Sequence, residues 1–306
     1  MKVFVSGGTG VIGRRVIPML LAQGHSVTAL VRRMPGTYNA VHAGLRFVNV
    51  DLFDKQALKQ AVADHDTVIN LATHMPGIAW KMLFRRAWRE NDRIRMQGAA
   101  NIAEAAQAGG ATRLIQESFA LAYPDCGDRW IGEETPLQPA AYDRTVLDAE
   151  RSAAGFTGNG RAGVVLRFAA FYGPDAMQTG SYISALRRGW AALPGGSDGF
   201  ISSISHDDAA SAVAAAVDAP AGAYNVVDDE PMPRAAFFGS LAEVLGAGPP
   251  KFLPGWATPL FGAIGSTMAR SLRLSNSKLK SETGWEPLFP SVREGWPATL
   301  AQMPGS

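Results

Sequence analysis

The sequence predicts an α/β protein, a doubly wound parallel sheet carrying a smaller, mostly helical C-terminal lobe. Three observations predict it. Short apolar runs alternate with helical segments through the first half of the chain, as parallel strands covered by helices on both faces require. A glycine-rich turn joins the first apolar run to the first helix. Beyond Tyr172, glycine and proline become frequent (FYGPDA, LPGGSDG, LGAGPP) and helical spacing dominates.

The elements follow in order. Lys2 to Ser6 is a strand, Val11 to Ala22 a helix, Ser26 to Val31 a second strand and Leu45 to Val50 a third. Lys55 to Val62 is helical, Thr67 to Leu71 a fourth strand, and Asp92 to Ala108 a long helix closed by Gly109 and Gly110. Arg113 to Glu117 is a fifth strand, Asp143 to Ala154 a helix and Gly163 to Arg167 a sixth strand. Helices then span Asp207 to Val217, Arg234 to Leu245, Pro259 to Leu272 and Val292 to Gln302, with a returning strand at Ala223 to Val227. The expected division is a sheet domain over 1–172, rejoined by 203–227, and a substrate lobe made of 173–202 and 228–306.

Composition narrows the function. Of 306 residues, 47% are hydrophobic and 18% charged, which reads as a globular chain. A net charge of +2 supplies no field for nucleic acid or a membrane surface. One cysteine, Cys126, excludes a disulfide framework and points to a reducing cytoplasm. No apolar stretch is long enough to span a bilayer, and MKVFVSGG is not a signal peptide. The five histidines are scattered without ligand spacing, so no metal site is expected. A monomer and a homodimer are both compatible with the sequence.

The segment SGGTGVIGRR places Gly7, Gly10 and Gly13 between a strand and a helix. That spacing suits a tight turn, a close backbone approach to a pyrophosphate, and close helix packing. Thr9, Val11 and Ile12 complete the loop. The second strand ends VTALVRR, where Arg32 and Arg33 stand in place of the acidic residue expected for a ribose 2′-hydroxyl. Two guanidiniums suit a 2′-phosphate, so the expected cofactor is NADP(H); two surface arginines are the plainer alternative. Asp51 and Leu52 end the third strand where adenine would rest, and Leu71, Ala72 and Thr73 end the fourth, facing the middle of the dinucleotide.

These motifs, with DLFD, VINLA, GAANIAEAA, LIQES, LRFAAFYGP, HDDAASAV and SNSKLKSETGWEP, resemble an extended short-chain dehydrogenase/reductase of the NAD(P)-dependent epimerase/dehydratase type. The resemblance spans nearly the whole chain and implies a Rossmann domain with a C-terminal substrate lobe. It also implies a Ser/Thr, a Tyr and a Lys four residues after the Tyr as the catalytic set. Here AYDRTVLDAE aligns Tyr142 with the tyrosine but Val146 with the lysine, while Glu150 fits a glutamate often seen eight positions on. In ESFALAYP, Phe119 takes the hydroxyl position and Ser118 falls one residue early. Arg95 stands where the family has Asn. Family position further places Phe168 to Phe171, including Ala170, at the nicotinamide face.

A tyrosine near its ordinary pKa of about 10 is a poor base but a usable acid. The expected activity is therefore one-way: NADPH-dependent reduction of a ketone or aldehyde in a hydrophobic or aromatic substrate, with a polyketide-like secondary metabolite as a candidate. Tyr142 or the substrate itself supplies the proton, and Ser118 is the second candidate for a carbonyl hydrogen bond. A nucleotide-sugar epimerase or dehydratase and a non-catalytic NADP-binding sensor are the alternatives. In the former, Arg270 and Arg273 are the candidates to meet a diphosphate. WKMLFRRAWRENDRIR repeats Arg85, Arg89 and Arg93 at four-residue spacing, which predicts one cationic helical face near the active-site mouth. His74 ends the fourth strand within reach of the nicotinamide region, or is a loop histidine. Asp207 and Asp208 read as helix capping.

Overall fold

The computed structural model describes residues 1–32, 43–76 and 84–303. The chain opens with β1 (Lys2–Ser6), α1 (Gly13–Ala22), β2 (Ser26–Leu30), β3 (Leu45–Val48), α2 (Lys55–Val62) and β4 (Thr67–Asn70). Then come α3 (Arg89–Arg93), α4 (Ala99–Ala108), β5 (Arg113–Phe119), β6 (Trp130–Ile131), α5 (Val146–Phe156) and β7 (Ala162–Phe168). β8 (Ala170–Tyr172), α6 (Met177–Leu186), β9 (Phe200–Ile201), β10 (Ser203–Ser205), α7 (His206–Ala215) and β11 (Gly222–Val226) follow. β12 (Met232–Pro233), α8 (Arg234–Val244), α9 (Gly262–Met268), β13 (Arg273–Leu274), α10 (Ser277–Thr283) and α11 (Val292–Ala301) complete it.

Seven of these strands form one sheet in the order β11-β7-β5-β4-β1-β2-β3, and every pairing in it is parallel. This is the doubly wound Rossmann arrangement. It gathers the carboxyl ends of the strands on one edge, where such folds bind ligands. Alternation along β1 shows how both faces are covered. Val3 and Val5 join the core under α1 and α7, with Val16, Ile17 and Val213. Phe4 joins the opposite core, with Leu58, Val62 and Ile102 of α2 and α4. A third core of Tyr182, Phe237, Phe238, Leu241, Trp296 and Leu300 holds α6, α8 and α11 together in the mostly helical remainder.

Several boundaries differ from the sequence reading. The long helix expected over 92–108 begins earlier and is not uniform. A 3-10 turn (Arg85–Trp88), α3, a π turn (Ile94–Gly98) and α4 succeed one another. Arg85 lies in the 3-10 turn and Arg89 and Arg93 in α3, and all three are exposed. The helix expected from Asp143 starts at Val146. Asp143 N–H bonds to Ala140 C=O at 3.2 Å and Val146 N–H to Asp143 C=O at 3.0 Å, a tighter spacing than α-helix. Thr145 Oγ1 donates to Asp92 at 2.9 Å and tethers this turn to α3. The expected helix over 259–272 is a 3-10 turn (Gly255–Phe261) followed by α9, ending at Met268. The third strand stops at Val48, and α6 and α10 were not read from the sequence.

Helix α5 sits unusually close to the sheet. A Cβ at Gly163 of β7 would overlap the carbonyl oxygen of Ala153 in α5. Replacing Gly163 with Ala is expected to lower stability by about 1–3 kcal/mol, because neither backbone can retreat in a packed core. A urea midpoint unchanged from wild type would show that α5 is free to shift.

Candidate functional site

Gly7 ends β1 and turns the chain at φ +74°. A Cβ at this position would lie 2.6 Å from the Leu71 carbonyl oxygen, so only glycine lets the loop cross the end of β4. Gly10 N–H bonds back to Gly7 C=O at 2.9 Å, and Gly13 starts α1. No side chain caps α1 and its first turn holds no acid. Its backbone N–H groups therefore face the loop without a side-chain acceptor, a cradle suited to phosphate. Arg14 and Arg15 in this turn oppose the helix dipole. Asp175 and Asp207 offset them: Arg15 Nε reaches Asp207 at 2.7 Å and its Nη2 reaches Asp175 at 2.7 Å, while Arg14 also pairs with Asp175.

The remaining cofactor candidates continue this groove. Thr9 and Gly10 are exposed, and Val11, Ile12, Leu71, Ala72 and Thr73 are half-buried. Asp51 is exposed and accepts from the Phe53 N–H at 3.0 Å. Leu52 holds its place through its carbonyl, which accepts from Asn101 Nδ2 at 2.9 Å. Arg32 is exposed at the end of β2, its carbonyl fixed by Asn49 Nδ2 at 2.8 Å. Arg33 lies outside the described residues. Phe168 is buried at the end of β7 against Phe171, with ring centroids 5.3 Å apart, and Ala170 is half-buried in β8.

A polar chain missed in the sequence runs beneath this groove. Ser6 Oγ donates to Asn70 Oδ1 at 2.5 Å, and Asn70 Nδ2 donates to Gln116 Oε1 at 2.8 Å. All three are fully buried at the ends of β1, β4 and β5. The signal was present: these polar residues interrupt otherwise apolar strands.

The reaction end departs from the standard set in a connected way. Val146 is fully buried and adds no charge. Arg95 is buried; its Nη2 bonds Glu117 at 2.9 Å, and its guanidinium carbon lies 5.8 Å from the Phe119 ring centroid. The unusual arginine thus stands on the same strand end as the phenylalanine that takes the hydroxyl position. Alternation along β5 sends Ser118 the other way. It is fully buried and donates to Glu150 Oε1 at 2.5 Å. Glu150 in turn binds Arg167 through both oxygens, at 2.9 and 2.8 Å, and Arg167 Nη1 bonds the Tyr123 hydroxyl at 2.7 Å. Ser118 therefore belongs to an internal network.

Tyr142 lies in the turn before α5. Its ring packs on Trp88 at 4.9 Å between centroids, tilted by 46°. Burial pushes its phenol up to about 12; Thr267 and the charges of Arg270 and Arg95 oppose this, and Asp143 adds to it. Around neutral pH the phenol keeps its proton, so it can give a proton but does not serve as a base. Asp143 beside it is 1% exposed, and neither carboxylate oxygen has a hydrogen-bond partner among the described residues. Burial pushes this carboxyl up to about 6 against the pull of Arg270 and Arg95. Tyr142 also lines a cavity of about 390 Å³ whose other walls include Arg85, Leu260, Phe261, Ala263 and Ile264.

Other expectations resolve as follows. His74 is exposed, and its N–H bonds Asn91 Oδ1 at 3.0 Å. Asp207 pairs with Arg15, whereas the cap of α7 is Ser205, whose hydroxyl accepts from Asp208 N–H at 2.9 Å. Asp208 is buried in the first turn of α7, where it accepts from the Ser205 hydroxyl at 2.7 Å and from the Leu288 and Phe289 N–H groups. Arg270 donates Nη1 to the Leu121 and Tyr123 carbonyls at 3.0 and 2.8 Å. No group of His, Cys, Asp and Glu suited to a metal ion occurs among the described residues, and none of their helices is long and apolar enough to cross a membrane.

Comparison with known proteins supplies the context. The family model described as NAD dependent epimerase/dehydratase matches residues 3–226. The chain is 36% identical to a 3-diazoavenalumate denitrifying reductase of a Streptomyces species, over 96% of this chain and 99% of that one. It is 26% identical to a 2-alkyl-3-oxoalkanoate reductase of Shewanella oneidensis, over 90% of this chain and 73% of the relative. The crystal structure of the human epimerase family protein SDR39U1 with NADPH shares the fold at a TM-score of 0.81 and 20% identity, covering 99% and 100% of the two chains.

The buried Asp143 carries a pH signature. A folded-state value of about 6, against an ordinary 3.8, means that the native chain holds a proton the unfolded chain releases. Stability then falls as pH rises from about 4 to 6, by up to about 3 kcal/mol for this group. Asp143→Asn is expected to match wild type at pH 4 and to unfold at higher urea at pH 8. A variant less stable than wild type at pH 8 would show that the carboxylate is favourably paired.

Proposed function

The chain belongs to the NAD dependent epimerase/dehydratase family and is an oxidoreductase, and from that premise we propose that it is an NADPH-dependent reductase whose hydride acceptor is an aromatic diazonium group. The observation that carries this reading is the coordinated loss of the proton-handling set. Val146 is apolar and buried, Phe119 faces Arg95, and Tyr142 is a phenol pushed to about 12. Epimerisation and alcohol oxidation begin by removing a proton, and Tyr142 does not act as the base.

The cofactor fits the residues present: Gly7, Gly10 and Gly13 form a tight loop, whose crossing of β4 a Cβ at Gly7 would block, leading to the uncapped start of α1, with Thr9, Val11 and Ile12 around it. Arg32 and Arg33 favour the 2′-phosphate. Asp51 and Leu52 would flank the adenine, Leu71, Ala72 and Thr73 the middle of the dinucleotide, and Phe168 and Ala170 the nicotinamide face. When bound, NADPH supplies a hydride.

Reduction of an aryl diazonium needs little else. A C–H bond forms with the hydride pair, the C–N bond breaks, and its electrons leave with dinitrogen; no oxygen requires protonation. Full-length similarity to a denitrifying reductase supports this acceptor. Tyr142, backed by the buried Trp88, then serves as an aromatic wall for the ring, and Ser118 acts at a distance, steadying α5 through Glu150. A carbonyl acceptor is the second reading, favoured by the 2-alkyl-3-oxoalkanoate reductase relative; there the neutral Tyr142 donates the proton directly.

Tyr142→Phe separates the two. Turnover of diazotised meta-aminobenzamide is expected to stay within about threefold of wild type, whereas ketone reduction through Tyr142 would fall by about 10²-fold or more. Arg32→Ala with Arg33→Ala is expected to weaken NADPH at least about tenfold more than NADH, as lost charge-assisted bonds to the 2′-phosphate require. Equal losses for the two cofactors contradict the assignment.

A further inference from the structure

The basic segment after β4 remains unexplained by hydride transfer. Its arginines go to different places. Arg95 is spent on Glu117, Arg93 lies over the Phe53 ring at 3.4 Å, and Arg86 lies by Phe84 at 5.9 Å. Arg85 instead lines the cavity shared with Tyr142, and among the described residues it has no hydrogen-bond or ion-pair partner. The opposite wall is apolar: Leu260, Phe261, Ala263 and Ile264. The cavity thus offers a phenol, an apolar slot wide enough for a substituted ring at about 390 Å³, and one guanidinium.

The surrounding charges favour an anion. Arg270 and Arg95 both act on Tyr142 from the protein side. Among the described residues Arg270 has no carboxylate partner; its bonds are to backbone carbonyls. Glu117 is neutralised by Arg95, and Asp143 is buried behind the turn, outside the cavity lining. An arginine fork matches a carboxylate in a way that a neutral amide or ester does not reproduce.

We infer that the substrate is an aromatic carboxylate and that Arg85 binds its carboxylate group, holding the ring along the 260–264 wall with its other end toward Tyr142. This inference rests on the reductase reading and names its substrate class. Arg85 is a specificity residue and takes no part in bond making.

The test uses binding, so that it stands apart from turnover. The intact protein, saturated with NADP+, is titrated with para-hydroxybenzoate, para-hydroxybenzamide and UDP by isothermal titration calorimetry. The acid is expected to bind at least about tenfold tighter than the amide. Arg85→Gln removes that preference and leaves the amide within about twofold, and Arg85→Lys restores part of it. Equal binding of acid and amide by wild type, failure of both to bind, UDP binding tighter than the acid, or equal weakening of both ligands in Arg85→Gln overturns the inference. Diazotised meta-aminobenzamide, which lacks the carboxylate, judges the reductase reading separately: its turnover without any acid preference would leave that reading standing and remove this one.

Discussion

Helix α5 rests on strand β7 at a separation that only a glycine at position 163 allows, and the reaction end of the molecule is built outward from that contact. Glu150 on α5 reaches back to Arg167 of β7 and to Ser118 of β5, so one carboxylate ties the helix to two strands. Arg167 extends the link to Tyr123, which donates to Asn225 of β11 at 2.9 Å. With the helix fixed, the turn that precedes it has one place to go. Thr145 anchors it to Asp92, and Tyr142 comes to lie on Trp88 over the end of the sheet.

That placement decides the electrostatics of the site. The turn is buried, so the phenol is pushed up and stays protonated, and the neighbouring carboxyl is pushed up as well. The lysine that would counter this in the standard set is a buried valine. Positive charge is supplied instead by Arg95 and Arg270, one held in a salt bridge and one on backbone carbonyls. Neither accepts a proton. A site of this kind gives hydrogen bonds and accommodates electron-rich leaving chemistry, but it has lost the means to start by deprotonation. Retaining the unpartnered Asp143 costs stability at neutral pH, a burden commonly found at functional sites.

Much of this architecture was legible in the sequence, for physical reasons. The strand and helix alternation and the glycine loop depend on local pattern and on backbone sterics, so the sheet, α1 and α2 were read nearly to the residue. The three departures at Val146, Phe119 and Arg95 were also visible as a group. Their spatial relation was not, because the Arg95–Glu117 pair joins residues from different elements. The fate of Ser118 was hidden for the same reason: alternation along β5 settles which way it points, and Glu150 lies 32 positions away. The exposed arginines Arg85, Arg89 and Arg93 were visible as a spacing, whereas the 3-10 and π turns of this segment were not.

The most direct test of the account is the stoichiometry of a single reaction mixture. Purified protein, NADPH and diazotised meta-aminobenzoate are combined, and nicotinamide oxidation is followed together with the dinitrogen released. The account predicts one dinitrogen for each NADPH oxidised, with the cofactor leaving as free NADP+ after each turnover. Dinitrogen release no faster than without protein, or a cofactor that stays bound and unoxidised throughout, would contradict it.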